Sequence, residues 1–129
     1  MSEQEKQELL VAISGYLPYG LKLDILARNN PDIHSIDQVR YDNVGTYEWL
    51  IKNEDSKFDI KPYLRPMSSM TEEEAEEYND LVNRLSDYNC QPEQSANKMI
   101  YWLNKKHLDY RGLIEKGLAI EAPKDMYTL

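Results

Sequence analysis

The chain has 129 residues, of which 41% are hydrophobic and 29% charged, a composition that excludes wholesale disorder and indicates one globular domain. Its formal net charge is −8, so its overall field repels phosphate backbones and anionic lipid, and we expect no direct binding to nucleic acid or membranes. No window has the run of apolar residues that spans a bilayer, and the first residues lack a signal-peptide pattern. The single Cys90 cannot form an internal disulfide. We therefore expect a cytoplasmic protein.

The first predicted element is a short amphipathic helix within residues 1–15. Leu9, Leu10 and Ile13 recur at helical spacing between residues 3 and 14. We expect Gly15 to end this helix, because glycine adopts the left-handed conformation of a helix C-terminus at little cost.

Residues 20–61 are predicted to form a small antiparallel β-meander of three to four strands. Leu21, Leu23 and Ile25 alternate with polar residues, which is typical of a strand with one buried face. An irregular second strand is predicted over residues 33–41, and a third over residues 46–51, which are rich in β-branched and aromatic residues. A short fourth strand covers residues 58–60 and is stopped by Pro62. The pattern allows either an open sheet or a small curled barrel.

A helical hairpin is predicted over residues 71–106. Thr71 and Glu74 have the spacing of a capping box, and the residues behind them form an apolar stripe that predicts a helix to about Asn89. A second helix begins at Pro92 or Glu93 and continues to about residue 106.

Residues 107–129 are predicted to form a clasp and a tail. Gly112 and Gly117 disfavour a long helix, so we expect one helical turn over residues 113–116 and then an extended tail that covers the end of the hairpin. The predicted fold class is therefore α+β, with an N-terminal helix, a β-meander, a helical hairpin and a clasp in one domain over residues 1–129.

The start of the hairpin is strongly acidic, because residues 71–80 carry six carboxylates and no basic residue. We expect these carboxylates to be solvated and favoured by the helix dipole, and Glu73, Glu76 and Glu77 are candidates for docking a basic partner.

Two arginines and a set of aromatic residues are the other interaction candidates. Arg65 and Arg111 can each form a buried ion pair with a carboxylate or remain exposed to bind an acid or phosphate of a partner, and the buried interpretation is favoured. The chain has 10 Tyr and 2 Trp against 1 Phe, a usage typical of half-buried boundaries and interfaces, and Tyr110 lies beside Arg111.

Motifs of catalysis or cofactor binding do not occur in the sequence. Cys90 and His107 lack the local signature of a nucleophile and base, and His107 with Asp109 gives only two of the ligands that a metal site needs. The sequence thus predicts no catalytic, cofactor-binding or metal-binding residues.

Two segments carry a resemblance to a known family: residues 61–74, KPYLRPMSSMTEEE, and residues 102–123, WLNKKHLDYRGLIEKGLAIEAP. Together with LPYGLK at residues 17–22, they resemble uncharacterised small proteins carried by phages, prophages and mobile elements of gut anaerobic bacteria. The resemblance implies a genomic setting and a general architecture, and it implies no enzymatic activity, cofactor or catalytic residue.

These observations leave three hypotheses. The leading one is a noncatalytic phage or prophage accessory protein that binds another protein through its acidic helix or its tyrosine-rich boundary. The second is an acidic inhibitor that imitates nucleic acid and occupies a host DNA-binding enzyme, which requires carboxylates repeated along a surface at about the spacing of phosphates. The third is a small enzyme, which requires a pocket joining Cys90, His107 or Arg111.

Overall fold

The structure is a computed structural model that describes residues 2–27, 34–40, 42–52, 58–85, 92–124 and 126–127. The fold class is α+β, as the sequence predicted. The helices and strands, in chain order, are α1 (Glu3–Tyr16), β1 (Lys22–Ala27), β2 (His34–Gln38), α2 (Val44–Lys52), β3 (Phe58–Leu64), α3 (Glu72–Leu85), α4 (Pro92–Lys105) and β4 (Ile120–Glu121). Short 3₁₀ turns lie at Leu17–Tyr19 and Met67–Ser69.

The strands form one mixed sheet in the order β2-β1-β3-β4. β1 pairs antiparallel with both β2 and β3, so that Leu23 lies opposite Asp37 on one side and Pro62 on the other. β3 and β4 pair in parallel, with Tyr63 opposite Ile120. Over the described residues the sheet is open, with β2 and β4 at its edges, so the barrel alternative is excluded there.

The core lies between one face of the sheet and the helices. Leu21 and Leu23 are fully buried, as the predicted alternation requires, but Ile25 is only partly buried and the polar Asp24 is also buried, so the prediction of a single buried face is wrong at Asp24. They pack in one cluster with Leu9, Ile13 and Tyr16 of α1. The C-terminal segment completes this cluster through buried side chains at 113, 118 and 119, so the predicted clasp packs on the core itself.

The predicted third strand is wrong, because residues 46–51 belong to helix α2. Composition favoured a strand, but Tyr47 and Ile51 lie four residues apart and are both buried, whereas Trp49 between them is 61% exposed. That burial follows a helical period. With a helix between β2 and β3, the sheet is not a meander, and β3 pairs with β1 rather than with its predecessor.

Two predicted end signals are also wrong. β3 continues through Pro62 to Leu64. Proline has no N–H to donate, and the strand tolerates it here because pairing with β4 begins only at the next residue, Tyr63. α1 continues through Gly15 to Tyr16, and the left-handed glycine that ends this region is Gly20, after the 3₁₀ turn, with a φ of 72°. Gly15 instead permits close packing, since a Cβ there would lie 3.2 Å from the side-chain nitrogen of Asn104.

The helical hairpin is confirmed, with α3 beginning after Thr71 and α4 beginning at Pro92. The predicted end of the first helix near Asn89 lies outside the described residues. The segment predicted as a helical turn and extended tail forms hydrogen-bonded turns over residues 110–117 and then the short strand β4. None of the helices that the structure describes is long and apolar enough to cross a membrane.

Candidate functional site

The helical hairpin is attached to the sheet by an ion pair between Arg65 and Glu74. Both guanidinium nitrogens Nη1 and Nη2 donate to the Glu74 carboxylate, at 2.9 and 2.7 Å, and they also donate to the carbonyls of Lys106 and Ser69. The donors at these two nitrogens are thus used inside the fold. Arg65 follows β3 directly and therefore links the sheet to both helices of the hairpin.

The same carboxylate caps α3. The Thr71 hydroxyl accepts from the Glu74 amide at 3.1 Å, and Glu74 accepts from the Thr71 amide at 3.0 Å, which is the predicted capping box. Glu74 is only 4% exposed, so the prediction that every acid of this run is solvated is wrong for Glu74. The cause is Arg65, whose hydrogen bonds are the main reason that the pKa of Glu74 falls to about 2.

Beyond this joint, α3 packs mainly against α4, and we call these two helices the arm. The ring of Tyr78 stacks on Trp102 with 6.1 Å between centroids. The Trp102 indole nitrogen donates to the Glu77 carboxylate at 2.7 Å. These contacts join the two helices and fix the orientation of Trp102.

Over the described residues, the apolar stripe of α3 is only partly covered, with Val82 exposed and the other members half-buried. Its members recur at helical spacing, and none of them is buried: Ala75, Tyr78, Leu81, Val82 and Leu85. Val82 is 37% exposed, and Ile100 on α4 is 42% exposed. Glu74 is the one buried residue of the whole helix. An amphipathic helix normally buries such a stripe, so this one is available for a further contact.

A groove of about 200 Å³ lies between the two helices of the arm. Its lining combines two apolar side chains, Leu81 and Trp102, with the charged residues Glu77, Asp80 and Arg84. On α3 these residues lie at i, i+3, i+4 and i+7, which places them on one helix face. Glu73 extends the same face by one turn toward the N-terminus.

The candidate acids Glu73, Glu76 and Glu77 all lie exposed on this helix, as does Asp80. Among the described residues, Glu73, Glu76 and Asp80 take part in no ion pair, and Glu77 accepts only the bond from Trp102. From Glu72 to Asp80 the run covers about 12 Å of helix axis. This crowding on two turns gives no support to the nucleic-acid mimic, which needs carboxylates spaced along a longer surface.

The structure places the other two candidates, Tyr110 and Arg111, in the C-terminal segment and apart from the arm's acidic face. The Tyr110 hydroxyl donates to the Asn104 side chain at 3.0 Å, and its ring lies 6.3 Å from that of Tyr16. The Arg111 guanidinium lies 5.2 Å from the centroid of the Tyr110 ring, and its buried Nε has no hydrogen-bond partner among the described residues. No hydrogen bond, ion pair or ring contact within the described parts of the chain joins either residue to α3.

His107 and Asp109, two of the residues considered for catalysis or metal binding, make hydrogen bonds within the fold, although the buried Nδ1 of His107 has no partner among the described residues. The His107 Nε2 hydrogen-bonds the Tyr19 carbonyl at 2.6 Å, and its ring stacks on Tyr127 at 3.8 Å. The Asp109 carboxylate accepts from the backbone amides of Leu113 and Ile114. Cys90 lies outside the described residues. Within the described ranges, three or more potential metal ligands are nowhere grouped together.

Two further depressions are lined by described residues. One, of about 310 Å³, lies between α1 and α2 and is lined by Leu10, Val11 and Tyr47. The other, of about 490 Å³, lies beside Arg65 and Glu74, whose charges are already paired with each other. Neither places carboxylates that take part in no ion pair among the described residues beside a partly exposed apolar helix stripe, as the arm does.

Sequence reasoning missed Leu81, Val82 and Trp102 as site residues. It recognised the stripe of α3 but assigned it to internal packing, which is its usual role. The spacing of apolar residues shows that a helix has a contact face, and only the structure shows that the described residues cover this face in part.

Comparison of the chain with protein-family models, curated proteins and solved structures found no match.

Proposed function

We propose that this chain is a noncatalytic protein-binding module whose contact surface is the arm formed by α3 and α4. The observation that carries the proposal is the partly exposed apolar stripe of α3, none of whose members is fully buried. Burial of apolar surface is worth about 25 cal/mol per Å², so a partner that covers Leu81, Val82 and Ile100 gains free energy that the chain's own fold leaves unused.

The rigid base of the arm supports the same proposal. Arg65 is bound to Glu74 and to two backbone carbonyls, and Glu74 caps the first turn of α3. A helix fixed in this way loses little further conformational freedom when a partner binds, which favours affinity.

The biological setting is the less direct part of the proposal. We propose that the module is an accessory protein of a phage or prophage and acts in the host cytoplasm. The resemblance of residues 61–74 and 102–123 to such proteins supports the first point, and the single cysteine agrees with the second.

Site-specific photo-crosslinking tests the proposal. A photoreactive phenylalanine analogue is placed at Val82 and, as the control, at Glu115, which is exposed in the C-terminal segment. Both chains are expressed in a host that carries the parent phage or prophage. We expect a discrete protein adduct at position 82 that is missing at 115 and is lost when Leu81→Ser is added. The same adducts at both positions, or none at 82, would contradict the proposal.

A further inference from the structure

The arm combines two features that together describe a binding partner. The groove has an apolar floor of Leu81 and Trp102, and its α3 edge carries carboxylates that take part in no ion pair among the described residues. We propose that this groove binds an amphipathic helix with a basic flank, contributed by another protein. The inference rests on the proposed function, because the groove lies on the arm that the proposed function assigns as the contact surface, and Leu81 belongs to both.

A helical occupant follows from the backbone of the arm. Both walls of the groove are α-helices, whose amides and carbonyls are hydrogen-bonded within each helix, so a strand cannot be added by main-chain pairing. Such a groove accepts side chains at i, i+3, i+4 and i+7 of a third helix. Since α3 has 14 residues and is about 21 Å long, the occupant needs three to four turns.

The charge of the occupant follows from α3. Glu73, Glu77 and Asp80 lie on the face that lines the groove, and Arg84 is the one basic residue among the groove-lining residues that the structure describes. On α4, Lys98 and Lys105 are exposed. The basic flank of the occupant must therefore lie along α3, with its apolar face over Leu81 and Trp102.

A second copy of this chain fits the surface poorly. Two copies packed through their arms would bring two acidic α3 faces together, and each chain has a formal net charge of −8. Like charges at an interface oppose association and select against wrong partners. A basic partner removes this repulsion.

Three matched peptides test the proposal. Each has 14 residues with the same leucine face, and the flanking positions are lysine, glutamine or glutamate. Trp49→Phe leaves Trp102 as the only tryptophan, so its fluorescence reports binding at the groove. We expect the lysine peptide to bind about tenfold or more tightly than the glutamate peptide, with glutamine between them, and we expect added salt to reduce the difference.

Variants of the chain locate the binding. Asp80→Lys is expected to weaken the lysine peptide by about fivefold. Glu115→Lys, which makes the same change of net charge outside the arm, is the matched control and is expected to change little. Leu81→Ser should weaken all three peptides, and its circular dichroism and thermal transition show that it is folded.

Several results would overturn the proposal. They are equal affinity for the lysine and glutamate peptides, no binding of the lysine peptide, equal effects of Asp80→Lys and Glu115→Lys, or self-association in sedimentation that Leu81→Ser abolishes. If the crosslink at Val82 still captures a host protein, the proposed function stands and only the basic helix is wrong. If that crosslink is also lost, the proposed function falls as well.

Discussion

α1 and α3 are both 14 residues long and both begin with a capping box, yet they bury different sets of residues. α1 buries Lys6 and the four core residues Leu9, Ala12, Ile13 and Tyr16, whereas α3 buries only Glu74. The difference shows that a capping signal and an apolar stripe define a helix without deciding whether it belongs to the core. In this protein, α1 contributes apolar side chains to the core, and α3 contributes none that is fully buried.

The capping carboxylates differ in the same way. Glu5 caps α1 from a half-buried position, while Glu74 is buried against Arg65. Hydrogen bonds to Ser2 lower the pKa of Glu5, and those from Arg65 lower the pKa of Glu74 further, to about 2. α3 is therefore held to the fold by charge at its base, and α1 is held by apolar contacts along its length.

The largest effect is expected at the Arg65–Glu74 pair. Arg65→Met leaves the Glu74 carboxylate buried without its partner and should reduce the free energy of unfolding by about 3–4 kcal/mol, measured by urea denaturation at pH 7. Combining it with Glu74→Leu should recover part of this loss. A loss below about 1 kcal/mol for Arg65→Met would show that the ion pair does not hold the arm.

Truncation of one leucine in each helix compares the two stripes directly. Leu9 is fully buried, so Leu9→Ala should cost about 3 kcal/mol of unfolding free energy. Leu81 is only half-buried, and Leu81→Ala should cost about 1 kcal/mol or less. Similar losses in the two variants would mean that α3 contributes to the core as α1 does.

The stability that His107 and Glu74 contribute should depend on different ranges of pH. His107 lies against Tyr16 of α1, and burial lowers the pKa of His107 from its ordinary value of 6.5. The unfolded chain therefore binds the proton more readily, so stability is complete above about pH 6.5 and falls as the pH drops below it. The titratable and charged groups that act on this ring are Tyr16, Lys22, Arg65 and Tyr127.

Glu74 should act at lower pH. Its contribution is present above the ordinary pKa of 4.5 and is lost as the pH falls toward about 2. Unfolding free energies measured from pH 8 to pH 3 should show both steps. His107→Asn should remove the first step and leave the second, since asparagine tolerates the φ of 57° at this position. A first step unchanged in His107→Asn would assign it to another group.

The smallest effects are expected at the N-caps. Ser2→Ala and Thr71→Ala each remove one hydroxyl acceptor and should each cost about 1 kcal/mol in thermal or urea unfolding. Because Glu74 keeps its bonds to Arg65, the first turn of α3 should remain ordered in Thr71→Ala. No measurable change in either variant would contradict the assigned helix start.

The sequence predicted those parts of the fold that depend on residues close together in the chain. Thr71 and Glu74 are three residues apart, and the alternation of β1 lies within one strand, so both were recognised. The strand assigned to residues 46–51 failed because aromatic and β-branched composition outweighed the four-residue spacing of Tyr47 and Ile51. The extension of β3 through Pro62 depends on where β4 begins pairing, almost sixty residues later in the chain.

The candidate site was predicted only in part. The acidic residues of α3 were recognised because charge is visible in a sequence, but the burial of Glu74 depends on Arg65, which precedes it in a different element. The roles of Leu81 and Trp102 depend on the incomplete cover over α3 within the part of the chain that the structure describes. Incomplete cover is a property of the packed molecule and has no signal in residue spacing.

The most direct test of the division between α1 and α3 is the reactivity of a cysteine placed on each stripe. With Cys90→Ser as the background, Val82→Cys should react with a thiol reagent at a rate within about tenfold of the unfolded chain, and Ala12→Cys should react far more slowly, because position 12 is 1% exposed. The lysine peptide should slow the reaction of a cysteine placed at Leu81, which lines the groove, and leave position 12 unchanged. Slow reaction at position 82 in the free protein would show that the stripe of α3 is already covered, and would contradict its assignment as a binding surface.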